Sequence, residues 1–137
     1  MKEWLIEKKV TLADGSEVLW SYDKEGDFLE VFFQRASASN TVELAEGLFL
    51  RFDKKTKQAL SLGIVSAATF LQPQEFGPRL LSLDGLKKLP EPDRKLILQM
   101  LQSLPLRAIL KLYSFEPVPR KPAIPMASLD HPLPIAI

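Results

Sequence analysis

The stretch SYDKEGDFLEVFF, residues 21–33, decides how the rest of this chain is read. Asp23, Glu25 and Asp27 alternate around Gly26, as they would at the start of a calcium loop. A loop of the EF-hand type needs Gly at its sixth position for a sharp turn and Glu at its twelfth for bidentate ligation. Counted from Asp23, those positions hold Phe28 and Gln34. The residues after the acidic run alternate instead, with Leu29, Val31 and Phe33 on one side and Phe28, Glu30 and Phe32 on the other. Period two with aromatic and branched residues is the pattern of a half-buried strand. The stretch therefore reads as a turn between two strands. Asp23 accepts a backbone N–H at the entry, and Gly26 takes the left-handed position that closes it.

Working outward, the same grammar recurs. WLIEKKVTL places Trp4, Ile6, Val10 and Leu12 in phase, and EVLWSY does so with Val18, Trp20 and Tyr22. Between them, ADGS has the Asp-Gly pair of a tight hairpin. GLFLRF carries Leu48, Leu50 and Phe52 together, and ALSLGIV carries Leu60, Leu62 and Ile64. FDKKTKQ repeats the turn plan with Thr56 where Gly26 stood. A β-branched residue in a left-handed position costs about 1–2 kcal/mol, so a longer or different turn is expected there. QRASASN, residues 34–40, reads as a polar surface loop. Together these segments predict an antiparallel β-meander of about five strands over residues 1–68.

Beyond Ala68 the pattern changes. FLQPQEFGP opens a connector over 69–91, in which SLDGLKKL suits a single helical turn. PEPDRKLILQMLQSL reads as a helix: Pro92 and Asp93 suit its first turn, and Ile97, Met100, Leu101 and Leu104 share a face. Pro105 ends it. PLRAILKLY supports two readings, a second helix through Leu106, Ile109, Leu110 and Tyr113 or a strand through alternate residues. From residue 115 on, Pro117, Pro119, Pro122, Pro125, Pro132 and Pro134 argue against regular structure. The sum is an α+β domain over 1–114, helical over 92–114, followed by a Pro-rich C-terminal arm over 115–137. That arm also carries Val118, Ile124, Met126, Leu129, Leu133, Ile135 and Ile137, and Pro has already restricted its unfolded freedom. It is expected to dock as an extended segment.

The residues from Trp20 to Ala68 are similar to a small bacterial domain family of unknown function, numbered 2283. Asp23, Asp27, Leu29, Glu43, Gly47, Asp53, Gly63 and Ile64 carry the resemblance, and Thr56 and Lys57 depart from it where the family places Gly. The arrangement with a helical half resembles the longer cyanobacterial members. The resemblance implies the fold of the sheet and no activity or site residue.

Composition narrows the function classes. Of 137 residues, 46% are hydrophobic and 26% charged, the balance of an ordinary globular protein. No run of about 18 apolar residues occurs, so no membrane span is expected, and charges at Glu3, Glu7, Lys8 and Lys9 break up any signal peptide. The absence of Cys excludes disulfides and thiol chemistry and fits a cytoplasmic setting. Carboxylates outnumber cations in the first half and the reverse holds in the second, without the concentrated excess of a nucleic-acid binder.

Candidate chemistry is sparse. Glu43 with Glu46, or Asp27 with Glu30, could serve a small carboxylate-based hydrolase if one member sat in a cleft with a raised pKa. His131 could orient Ser128, but no Gly-x-Ser-x-Gly elbow accompanies them. One His without Cys leaves a zinc site short of ligands, and LDGLKKL lacks the Gly-Lys-Ser/Thr ending of a phosphate loop. The cations Arg51, Lys54, Lys55 and Lys57, and Lys87, Lys88, Arg94 and Lys95, could touch phosphates, which keeps a nucleic-acid-associated role as an alternative. Solvated faces account for both clusters more simply. Neither cofactor nor metal nor catalytic residue is expected. Phe28, Phe32 and Phe49 fall opposite the main apolar phase, so a sheet covered on one side would expose them. Exposed aromatics mark partners. The expected function is a non-enzymatic protein-interaction or homodimerisation module, with those three residues as its surface.

Overall fold

The computed structural model describes residues 4–12, 15–34, 36–37, 40–70, 80–115 and 124–129. The alternating runs pair as the period predicts. β1 (Leu5–Thr11), β2 (Glu17–Asp23), β3 (Phe28–Phe32), β4 (Asn40–Ala45), β5 (Leu48–Asp53) and β6 (Gln58–Val65) form one antiparallel sheet in the order β1-β2-β3-β6-β5-β4. Two three-stranded meanders thus meet across β3 and β6, and they repeat one plan. Tyr22 faces Leu29 and Asp23 faces Phe28 in the first, as Phe52 faces Ala59 and Asp53 faces Gln58 in the second.

The sixth strand, β4, corrects the expected count of about five. Asn40 belongs to it rather than to a loop. The alternation of Val42 and Leu44 is short, and the pairing shifts between Glu43 and Ala45, so Leu44 and Ala45 are buried in succession. A bulge of this kind hides a strand from a period-two search.

The inner face of the sheet holds Trp20, Leu29, Val31, Leu48, Leu50, Leu62 and Ile64, all buried. They belong to the same core as Ile97, Met100 and Leu101 of the second layer. That layer contains α1 (Ala67–Phe70), β7 (Leu81–Ser82), a 3-10 helix (Asp84–Lys88), α2 (Glu91–Leu101), a 3-10 turn (Leu106–Ala108), β8 (Leu110–Phe115) and β9 (Ile124–Leu129). Helices beside a predominantly antiparallel sheet make the fold α+β. α2 begins as read, with Pro92 and the acidic Glu91 and Asp93 in its first turn.

For residues 105–113 the strand reading holds from Leu110 on. A second three-stranded sheet forms in the order β7-β9-β8. Its central strand, β9, lies inside the stretch whose prolines argued against regular structure. Pro125 is tolerated because extended backbone suits its fixed φ and its carbonyl still accepts, here from the Leu83 N–H at 2.9 Å. Residues 124–129 of the expected arm are therefore a strand within the chain's own second layer. Residues 116–123 and 130–137, including His131, lie outside the described residues.

The two edges of the large sheet differ. β1 is an edge with Glu7, Lys8 and Lys9 exposed along it, the charged pattern that discourages edge pairing. At β4 the 3-10 helix comes down onto the strand. A Cβ on Gly85 would overlap the Glu43 carbonyl oxygen and sit 2.8 Å from its carbon. Only a glycine permits that approach.

Candidate functional site

Strand alternation places Phe28, Glu30 and Phe32 of β3 on the outer face of the large sheet. Leu19 and Ser21 of β2, Phe49 and Arg51 of β5, and Ser61, Gly63 and Val65 of β6 join them. At one corner β7 and the start of the 3-10 helix approach it, since Leu80, Ser82 and Asp84 share a cleft with Phe49 and Val65. Its centre is built on the small outward residues of β6. A Cβ on Gly63 would meet the Phe28 ring at 3.0 Å and the Phe49 Cβ at 3.9 Å, so the Phe28 ring leans on the glycine. Beside it, Glu30 Oε2 accepts from Arg51 Nη1 at 2.9 Å and from Ser61 Oγ at 2.6 Å. Ser61 is 1% exposed. These bonds tie β3, β5 and β6 together through their side chains.

The consequence corrects the expected exposure of Phe28, Phe32 and Phe49. All three are half-buried, and the Phe28 ring and the Phe49 Cβ lie close over Gly63. The face is an aromatic layer with a charge-neutral Glu30–Arg51 centre. Its rim carries Glu7 and Lys9 on β1 and Glu43 on β4. A hollow of about 430 Å³ opens over Leu19 and Phe32, edged by Lys9 and Glu17. Sequence reasoning found the aromatics and missed the trough. The signal was present in LSLGIV, where Ser61 and Gly63 occupy the phase opposite Leu62 and Ile64.

The carboxylates of the opening motif have structural partners. Asp23 Oδ1 accepts from the Glu25 and Gly26 backbone N–H groups at 2.9 and 3.0 Å, as expected of a turn. The left-handed residue is Asp27, at φ 50°, and not Gly26; in the second turn it is Lys57, at φ 59°, and not Thr56. The side chain of the first Asp sets the turn, and the strained residue comes one position later than the glycine suggested. Asp27 Oδ1 accepts from Tyr22 Oη at 2.7 Å and from the Ala68 N–H at 2.9 Å. The bond to Asp27 holds the Tyr22 phenol above its ordinary range, and burial adds to this.

The remaining candidates are dispersed. Asp27 and Glu30 serve the separate networks just described. Glu43 and Glu46 are exposed and line a cleft of about 560 Å³ with Ser82 and Asp84. Ser128 is buried on β9. Among the described residues no group of three or more His, Asp or Glu is placed to hold a metal ion. Of the cations, Arg51 pairs with Glu30, Lys54 with Asp93 at 2.9 Å, Lys95 with Glu91 at 3.5 Å, and Arg94 donates to the Leu86 and Leu89 carbonyls. No helix among the described residues is long and apolar enough to cross a membrane. In comparisons with protein-family models, curated proteins and solved structures, nothing matches this chain.

Proposed function

We propose that this chain is a non-enzymatic protein-interaction module whose outer sheet face receives a second copy of itself. The observation that carries the reading is the layer of Phe28, Phe32, Phe49 and Leu19, half-buried together on one outward sheet face. Its layout is that of an interface, with an apolar, charge-neutral centre and charges of both signs at the rim. Six strands about 4.8 Å apart and about 17 Å long present roughly 500 Å² per partner. Two copies would bury about 1,000 Å², at the lower limit for a specific contact. A contact of that size fits a reversible homodimer in the micromolar range.

The carboxylate-enzyme and nucleic-acid readings have less behind them. Glu43 and Glu46 sit exposed with no positioned nucleophile, and of the named cations Arg51, Lys54, Arg94 and Lys95 are engaged by carboxylates or carbonyls. Light scattering coupled to size exclusion tests the proposal. A dimer at about 100 μM that becomes a folded monomer in Phe32→Glu, with the circular dichroism of the sheet retained, is the expected result. A monomer at every concentration would remove the second copy as occupant. A distinct protein bound through the same face would then replace it.

A further inference from the structure

Between α2 and the second sheet runs a groove of about 630 Å³, within the size range of small-molecule sites. Along α2 it meets Arg94, Leu98 and Gln102, which are four residues apart and so share one stripe of the helix. The core-facing stripe of the same helix carries Ile97, Met100 and Leu101. Leu98, on the flank of that stripe, is half-buried: it packs against the core and also lines the groove. Leu86 lies at the groove's base, 2% exposed, and Leu112 and Met126 come from the sheet side.

The charges are one-sided. Lys87 and Arg94 line the groove, and among the described residues no carboxylate does. Arg94 is held at the rim because its Nε and Nη2 donate to the Leu86 and Leu89 carbonyls at 3.0 and 2.9 Å. Two of its five N–H donors are used there, which fixes the plane of the guanidinium. Lys87 has Asp84 at 3.8 Å, with both side chains more than 60% exposed, a contact worth little in water.

An apolar trough with fixed cations and no carboxylate complements an amphiphile with an anionic head. We propose that this groove binds a free fatty acid of medium chain length. The acyl chain lies along Leu86, Leu98, Leu112 and Met126, and the carboxylate meets Arg94 and Lys87. Charge decides the class, since a cationic amphiphile of equal length would bury the same surface while facing like charge.

Dodecanoate, titrated below its micelle concentration into the full chain and followed by calorimetry and amide NMR shifts, tests this. Micromolar binding is expected, with shifts centred on Leu98, Leu112 and Met126. Each methylene removed should weaken it about fourfold. Dodecyltrimethylammonium should bind at least tenfold more weakly. Lys87→Glu, an exposed change outside the core, should weaken dodecanoate about tenfold with no change in melting temperature, and Leu98→Gln should flatten the chain-length dependence. Absence of binding, equal binding of the cationic amphiphile, or shifts confined to the outer sheet face would each overturn the proposal.

Discussion

The two meanders of the large sheet share a turn and fasten it differently. Asp23 and Asp53 each cap their turn by accepting from the backbone two and three residues on. Each turn has its left-handed residue at the same place, Asp27 in one and Lys57 in the other. Yet the first sequence contains Gly26 and the second has no glycine. Glycine is therefore not what makes this turn, and the leading aspartate is. The halves diverge in what holds them to the second layer. Asp27 grips the Ala68 N–H and the Tyr22 hydroxyl, whereas the second turn reaches α2 through the Lys54–Asp93 pair. They diverge again at their edges, one charged and open, the other closed by Gly85 against β4.

The sharpest way to break the comparison is at that closed edge. Gly85→Ala puts a methyl group into the Glu43 carbonyl, and the 3-10 helix must lift away. A loss of about 3 kcal/mol in urea unfolding is expected; a loss below about 1 kcal/mol would mean that the β4 edge is not closed by this contact. Next come the two left-handed residues. Asp27→Ala leaves the Ala68 N–H and the Tyr22 hydroxyl without their acceptor and should cost about 2 kcal/mol. Lys57→Ala keeps the same backbone and has no such side-chain bond to lose, so it should stay within about 0.5 kcal/mol. Equal costs would erase the distinction between the turns.

Tyr22 gives the same contrast a pH axis. Its phenol is raised above the ordinary value near 10 in the folded state, chiefly by the bond to Asp27. A raised acid is neutral longer when folded, so its contribution is complete below the unfolded value and is lost as pH climbs through the folded one. The melting temperature should therefore fall more steeply above pH 10 in the unmodified chain than in Tyr22→Phe. Parallel curves would show that the phenol does not titrate with folding. The smallest effect belongs to Gly26→Ala. The new methyl would approach Asp23 Oδ2 at 3.0 Å, a flexible side-chain end, and no left-handed strain is added. A cost under about 1 kcal/mol is expected, measured in the same unfolding series. A cost near 2 would restore Gly26 as the keystone.

Long strands with one buried face were legible, because Trp20, Leu29, Val31 and Leu62 keep strict phase with their neighbours. β4 was not, because its bulge breaks that phase. β9 was hidden for another reason. Pro125 removes one donor from it, and only the partner strands reveal that this donor is not needed. The Gly26 assignment failed because a side-chain cap can replace glycine's freedom. At the candidate face the aromatics could be read from the alternation, whereas their half-burial depends on which small residues lie across the sheet from them. Pairing register, which no local pattern contains, decides that.

The position of β9 in the middle of the second sheet has a consequence for the order of assembly. β7 at Leu81 pairs with Ala127, 46 residues on, so it has no strand neighbour until the chain returns from far along, whereas β8 meets β9 nine residues on, Phe115 against Ile124. The hairpins of the large sheet close over short loops and need no such wait, and closing longer loops costs more entropy before any contact rewards it. Amide protection should therefore develop first across β2–β3 and β5–β6 and last in β7. Until then Leu81, buried in the finished structure, is wetted. A chain paused at that stage would present unpaired strand edges to its neighbours while the large sheet was already formed.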